Sequence, residues 1–204
     1  MMQSWSYFPS IVYRDELPQW ADTIHNSTEN LYNTARQKHN FNIPMPLNTT
    51  AVWECSQAAS AIQPFVNHLN TLSVEILNSQ GYDTSLYNIG VDALWGQELS
   101  YGAQQPVHVH SNTVLSGVYI ITQPDENSSS LIFEDPRPGK LMSDMFMVEH
   151  EEILAGESSI IFNNLVKGTL MVFNSFLPHK FTPHYSNNSL KFLHFCVTST
   201  PKRA

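Results

Sequence analysis

Three histidines carry the chemistry in this sequence: His108 and His110, in His108-Val109-His110, and His179, which follows Leu177-Pro178. Successive odd or even positions of a strand leave the same face. On a strand, therefore, His108 and His110 aim two imidazoles at one point. His179 also follows a strand-like run and a loop ending in proline, and is the best candidate for a third ligand from a second strand. Three neutral imidazoles on one side of an ion leave its other positions open to substrate and oxygen. Imidazole accepts Fe, Cu, Ni or Zn, so ligand type alone does not select the metal. His184 is a weaker alternative to His179. His194 alternates within the last apolar run and reads as structural, while His25, His39, His68 and His150 read as ordinary surface or core histidines.

The composition frames these residues. The chain has 204 residues, with Lys+Arg 10, Asp+Glu 18 and His 9, for a formal net charge of −8. So acidic a chain offers no cationic footprint for nucleic acid or an anionic membrane. Hydrophobic residues at 42% and aromatics at 11% fill a real core and exclude wholesale disorder. Two cysteines, Cys55 and Cys196, are too few for a secreted disulfide scaffold. With no secretory-type leader and no apolar run of about 18 residues, the expectation is a cytoplasmic protein with free thiols.

Two kinds of element must position the histidines. Residues 1–86 read as a helical support. Leu17, Trp20, Ala21, Ile24, Leu31, Tyr32 and Ala35 recur at helical spacing, with Asp15 as a candidate cap. A second helix carries Ile62, Phe65, Val66, Leu69, Leu72, Ile76 and Leu77 on one stripe and stops at Gly81. Residues 87–200 switch to short apolar runs separated by Gly, Pro, Asn and Ser. Expected strands are Ala93–Leu99, Val107–His110, Leu115–Thr122, Leu131–Glu134, Glu152–Leu154, Ser159–Phe162, Leu170–Phe173, His179–Thr182 and Lys191–Val197. Such a pattern predicts a mainly β, antiparallel sandwich or jelly roll with helices on the outside of one sheet, in a single domain over 1–204.

The stretch from Tyr101 to Tyr119, containing His108-Val109-His110-Ser111-Asn112-Thr113-Val114-Leu115-Ser116-Gly117-Val118-Tyr119, resembles a family of Fe(II)/2-oxoglutarate oxygenases with an H-x-H-P-N-S-x-L-S-G-V-Y-Y pattern. Ser130 to Arg137, ending Asp135-Pro136-Arg137, is similar to that family's next strand. Gly168 to His179, followed by Thr182-Pro183, resembles its third motif. The resemblance implies a double-stranded β-helix binding Fe(II), 2-oxoglutarate and O2, with His108, His110 and His179 at the metal. It implies oxidative decarboxylation of the keto acid coupled to hydroxylation of a substrate, with a peptide or amino-acid side chain suggested by related hydroxylases. His110 stands where the common triad has a carboxylate, so Asp135 or water is an alternative third ligand. Ser111 and Ile120 replace the pattern's proline and second tyrosine.

The resemblance also implies a cation for the far carboxylate of 2-oxoglutarate, about ten residues after the last histidine. Lys191 fits approximately, Arg137 is the second choice, and Tyr119 is a hydroxyl donor to the same group. Two other readings compete. A cupin-type metalloenzyme without 2-oxoglutarate matches Gly102 to His110, but Val114 and Leu115 stand where that pattern needs a glutamate. A non-catalytic jelly-roll binding protein would leave the histidines incidental.

Overall fold

The structure is a computed structural model that describes residues 9–140, 142, 145 and 156–202. The expected strand Glu152–Leu154, and His150, lie outside the described residues. A six-stranded antiparallel sheet and a four-stranded sheet face one another. Strand β1 is Val12–Glu16 and β2 is Leu47–Ala51; β3 is Tyr87–Leu99, β4 Gln105–His108, β5 Leu115–Ile120, β6 Leu131–Glu134, β7 Ser159–Phe162, β8 Thr169–Asn174, β9 His179–Phe181 and β10 Leu190–Pro201. The larger sheet runs β1-β8-β5-β10-β3-β2 and the smaller β4-β9-β6-β7. This is the double-stranded β-helix implied by the resemblance.

Two corrections concern the N-terminal part. Asp15 lies in β1 and caps no helix; Pro18 begins a 3-10 turn, and α1 (Ala21–Arg36) follows. Proline fixes the backbone for a first helical turn and lacks the N–H that the turn leaves unbonded. The N-terminal part also supplies the edge strands β1 and β2, and β2 carried no recognisable apolar alternation in Leu47-Asn48-Thr49-Thr50-Ala51.

Helix α2 (Ser56–Ser79) buries Ile62, Phe65, Val66, Leu69, Ile76 and Leu77 as the stripe predicts. Gly81, at φ +93°, closes it, with its N–H on Asn78 O and the N–H of Tyr82 on Leu77 O. Both helices cover the outer face of the larger sheet. Its alternate residues Leu94, Leu115, Tyr119, Leu170, Leu193 and Phe195 join the helix-side core. The other alternates, Val118, Ile120, Met171, Phe173, Leu190 and Phe192, meet Leu131, Phe133 and Phe181 of the smaller sheet. β5 is therefore buried on both faces along its whole length, its small Ser116 and Gly117 included. No helix among the described residues is long and apolar enough to cross a membrane.

Candidate metal centre

The pairing of β4 with β9 places His108 directly opposite His179. Their ring centres are 4.2 Å apart. His110 lies two residues beyond His108, past the end of β4, where its N–H donates to Ser175 O at 3.0 Å and Asn112 turns the chain with φ +61°. Its ring is 5.0 Å from that of His108 and 5.2 Å from that of His179. One nitrogen from each ring lies within 4.8 Å of the others. The expected triad thus assembles, although His110 reaches it from a turn and not from a shared strand face.

The tautomers are fixed from behind. His108 Nδ1 faces Pro106 O at 2.9 Å, and His179 Nδ1 faces Leu177 O at 3.0 Å. A carbonyl only accepts, so each Nδ1 carries the proton and each Nε2 keeps its lone pair. His179 is fully buried, and its Nε2, like that of His110, has no hydrogen-bond partner among the described residues. Burial holds the His110 imidazole down to about pKa 4 and that of His179 down to about 3, so both are neutral near pH 7. Neutral, desolvated, unpartnered imidazole nitrogens converging on one point fit a divalent metal. The amide of Gln105 donates to His108 Nε2 at 3.3 Å, a contact that a metal would replace.

The alternatives to this triad are engaged elsewhere. Asp135 binds Arg137, which holds its carboxyl below the ordinary range. His184 uses both nitrogens, Nε2 toward Asn188 O and Nδ1 toward the Ser129 N–H.

A fourth histidine stands beside His110 from the opposite sheet. His194 on β10 lies flat against Trp95, with centres 4.6 Å apart and planes 6° apart. Its ring centre is 4.6 Å from His110, 5.9 Å from His179 and 6.3 Å from His108. The strand phase was the available signal: His194 shares the inner face with Leu190 and Phe192. With both faces of β10 apolar, the sequence did not show which face looks at the other sheet.

The three residues expected to bind the far carboxylate of 2-oxoglutarate are not brought to the histidines. Lys191 stands three residues before His194, hence on the opposite face. There its Nζ binds Glu29 of α1 at 2.6 Å and lies over the Tyr32 ring. Tyr119 also faces the helices, and its hydroxyl donates to Leu17 O at 2.6 Å. Arg137 folds back on Asp135 at the surface. The inner wall beside His179 is Leu131, Phe133, Phe181, Leu190 and Phe192, with the Phe181 and Phe192 rings stacked at 4.6 Å. Arg14 shares the inner face through its pairing with Met171, but at the edge strand, bound to Asn164 and Glu16. The three converging histidines fit the metal that the fold implies; the expected anchors for its co-substrate do not fit that group.

A cavity of about 320 Å³ opens on His110. Tyr82, Tyr87, Ile89, Asn174 and Phe176 contribute to its wall, which among the described residues contains no Asp, Glu, Lys or Arg.

Residues 93–191 match the family described as "Putative 2OG-Fe(II) oxygenase". The matched stretch, just under half of the chain, is that of a 2-oxoglutarate/Fe(II) oxygenase, a class of enzyme that uses Fe(II), 2-oxoglutarate and O2. No curated protein matches it in sequence. Among solved structures, it is similar to a prolyl-4-hydroxylase of Pseudomonas putida, at 15% identity over 95% of this chain and 93% of that one, with a TM-score of 0.60. It is also similar to AviO1 of Streptomyces viridochromogenes Tue57, at 10% identity over 95% and 92%, with a TM-score of 0.63. A third likeness is to a prolyl hydroxylase of Trichoplax adhaerens in complex with a hypoxia inducible factor oxygen degradation domain peptide fragment, at 12% identity over 92% and 83%, with a TM-score of 0.60. At these identities the likenesses establish the fold.

Proposed function

We propose that this oxygenase hydroxylates an uncharged peptide or amino-acid side chain. One observation carries the metal half of the reading: His108, His110 and His179 converge, with two desolvated Nε2 atoms lacking any other partner among the described residues. The bound ion supplies the redox chemistry with oxygen. The protein's own part is to hold that ion through neutral imidazoles, keep one side of it open and exclude bulk water with the apolar inner wall. The uncharged cavity beside His110 supports a neutral substrate, because a charged group would enter it without a counter-ion. The peptide bound in the Trichoplax adhaerens relative supports the peptide class. Free Cys55 and Cys196 agree with a reducing, cytoplasmic setting.

The test is anaerobic reconstitution with Fe(II) and ascorbate, then exposure to oxygen with 2-oxoglutarate. Slow uncoupled succinate formation, accelerated by a neutral peptide pool and absent in His179→Ala, is the expected result. Neither 2-oxoglutarate binding nor succinate formation in the iron-loaded protein would end this reading.

A further inference from the structure

His110 belongs to two close groups of potential ligands. One is the triad with His108 and His179; the other joins His110 to His194 and Cys196, with ligand atoms all within 4.8 Å of one another. His194 and Cys196 stand two residues apart on β10 and hence on one face. Both are buried, and Cys196 is a free thiol. His194 Nδ1 faces Gln97 Oε1 at 3.2 Å, and Gln97 Nε2 donates to Asn48 Oδ1 at 2.7 Å. The Gln97 oxygen therefore accepts from Nδ1–H, which leaves the lone pair on Nε2. That Nε2, like the Nε2 of His110, is buried with no hydrogen-bond partner among the described residues. The Cys196 thiol contacts Ser116 Oγ at 3.6 Å, and Ser116 Oγ lies 2.8 Å from Ser175 Oγ. The Ser116 hydroxyl can thus accept from Ser175 and donate to a thiolate. Ser175 also ties this group to His110, because its carbonyl accepts the His110 N–H at 3.0 Å.

We propose that His110, His194 and Cys196 form a second metal site, for a thiophilic ion such as Zn(II), that competes with the three-histidine centre for His110. A thiolate beside two imidazoles favours a borderline-soft ion, and Zn(II) takes three protein ligands with one position left open. It binds nitrogen at about 2.0–2.1 Å and sulfur at about 2.3 Å, which sets tetrahedral ligand atoms roughly 3.4–3.6 Å apart. The separations of at most 4.8 Å close to that range if each ligand atom moves inward by less than about 1 Å. As the sulfur–metal bond forms, the thiol proton leaves to solvent, and the thiolate cancels one of the ion's two positive charges. The cavity of about 320 Å³ that opens on His110 and Thr113 gives the ion a route in.

Sharing His110 makes the second site inhibitory. An ion held by His194 and Cys196 claims the His110 imidazole and leaves His108 and His179 as a two-ligand remnant, which holds Fe(II) poorly. Iron is then lost because a ligand is withdrawn and not because its own position is taken. The competition, though not the second site itself, rests on the metal reading above.

Metal-stripped full-length protein, titrated anaerobically with Co(II) and then with Zn(II), tests the proposal. His179→Ala, which disables the three-histidine centre, should still take up Co(II) with a thiolate-to-cobalt band in the near ultraviolet, and Zn(II) should displace it. Adding Cys196→Ser to that variant should abolish the band and weaken Co(II) binding by about tenfold or more. Adding His194→Gln should weaken binding to a similar degree. Cys196→Ala is the second thiol-free variant, and apo melting curves show which variants are folded. In protein with all its histidines, Zn(II) should inhibit uncoupled succinate formation, and Cys196→Ser should raise the Zn(II) concentration required by about tenfold. Absence of a thiolate band from both His179→Ala and the wild type overturns the second site and leaves the three-histidine reading intact. Equal Zn(II) inhibition with and without Cys196 overturns the competition for His110. Fe(II) affinity that is the same in His179→Ala and the wild type ends the three-histidine reading, while a thiolate band in the same samples upholds the second site.

Discussion

His108 and His179 are cross-strand partners, and each ties its Nδ1 to the carbonyl two residues before it. The two candidate ligands are thus set up by the same local device on two different strands. Strand pairing brings the rings together, and the carbonyls of Pro106 and Leu177 decide which nitrogen faces inward. His108→Ala and His179→Ala should each lower Fe(II) affinity by about a hundredfold or more and abolish succinate formation. Far-ultraviolet circular dichroism should keep its β signature, because the apolar packing of both cores remains. Anaerobic iron titration checks the affinity; wild-type binding in His179→Ala would remove it from the ligand set.

Lys191 is a stabilising residue of the α1–sheet interface. Its Nζ binds Glu29 with only 8% of the side chain exposed. Lys191→Ala should lower unfolding free energy by about 1–3 kcal/mol, the range for a hydrogen bond to a charged group in a largely buried setting. Its 2-oxoglutarate affinity should match the wild type. Urea denaturation and co-substrate titration read the two effects separately, and a large loss of co-substrate affinity in folded protein would reverse the assignment.

Lys191 also shows where sequence legibility ends. Linear spacing after His179 suggested an anchor, but strand phase decides the face, and three residues separate Lys191 from His194. Tyr119 is misplaced by the same rule: it pairs with Leu193 and Leu170, both in the helix-side core. On strands buried on both sides, apolar residues flank every position, so the sequence does not distinguish inside from outside. The elements themselves were more legible. Leu131–Glu134 and Ser159–Phe162 coincide with their expected bounds because turn residues delimit short apolar runs. β2 was invisible because an Asn-Thr-Thr strand is held by pairing with β3 and not by its own pattern.

The uncharged cavity beside His110 should set substrate affinity. Phe176 is 56% exposed at its wall, so truncating it removes apolar contact area without opening the core. Phe176→Ala should raise the KM for a neutral peptide substrate about three- to tenfold, through the loss of roughly 1 kcal/mol of contact. Uncoupled succinate formation should stay near wild type. Steady-state kinetics with and without peptide separates the two, and an equal fall in both rates would place Phe176 outside the substrate path.

The buried histidines also make the metal-free protein sensitive to acid. The folded-state pKa of His110 is about 4 and that of His179 about 3, with burial pushing that of His194 down as well. An unfolded histidine titrates near 6.5. Between these limits the unfolded chain binds more protons than the folded one, so unfolding free energy falls as pH falls. Each such group contributes up to about 1.4 kcal/mol per pH unit within its window. Apo protein should therefore hold its stability above pH 7 and lose it progressively from about pH 6.5 toward pH 4. Replacing His194 by Gln should flatten that slope by removing one titrating group. Urea midpoints measured from pH 8 to pH 4.5 provide the check; a flat profile across that span would mean that the imidazoles are already charged in the folded state.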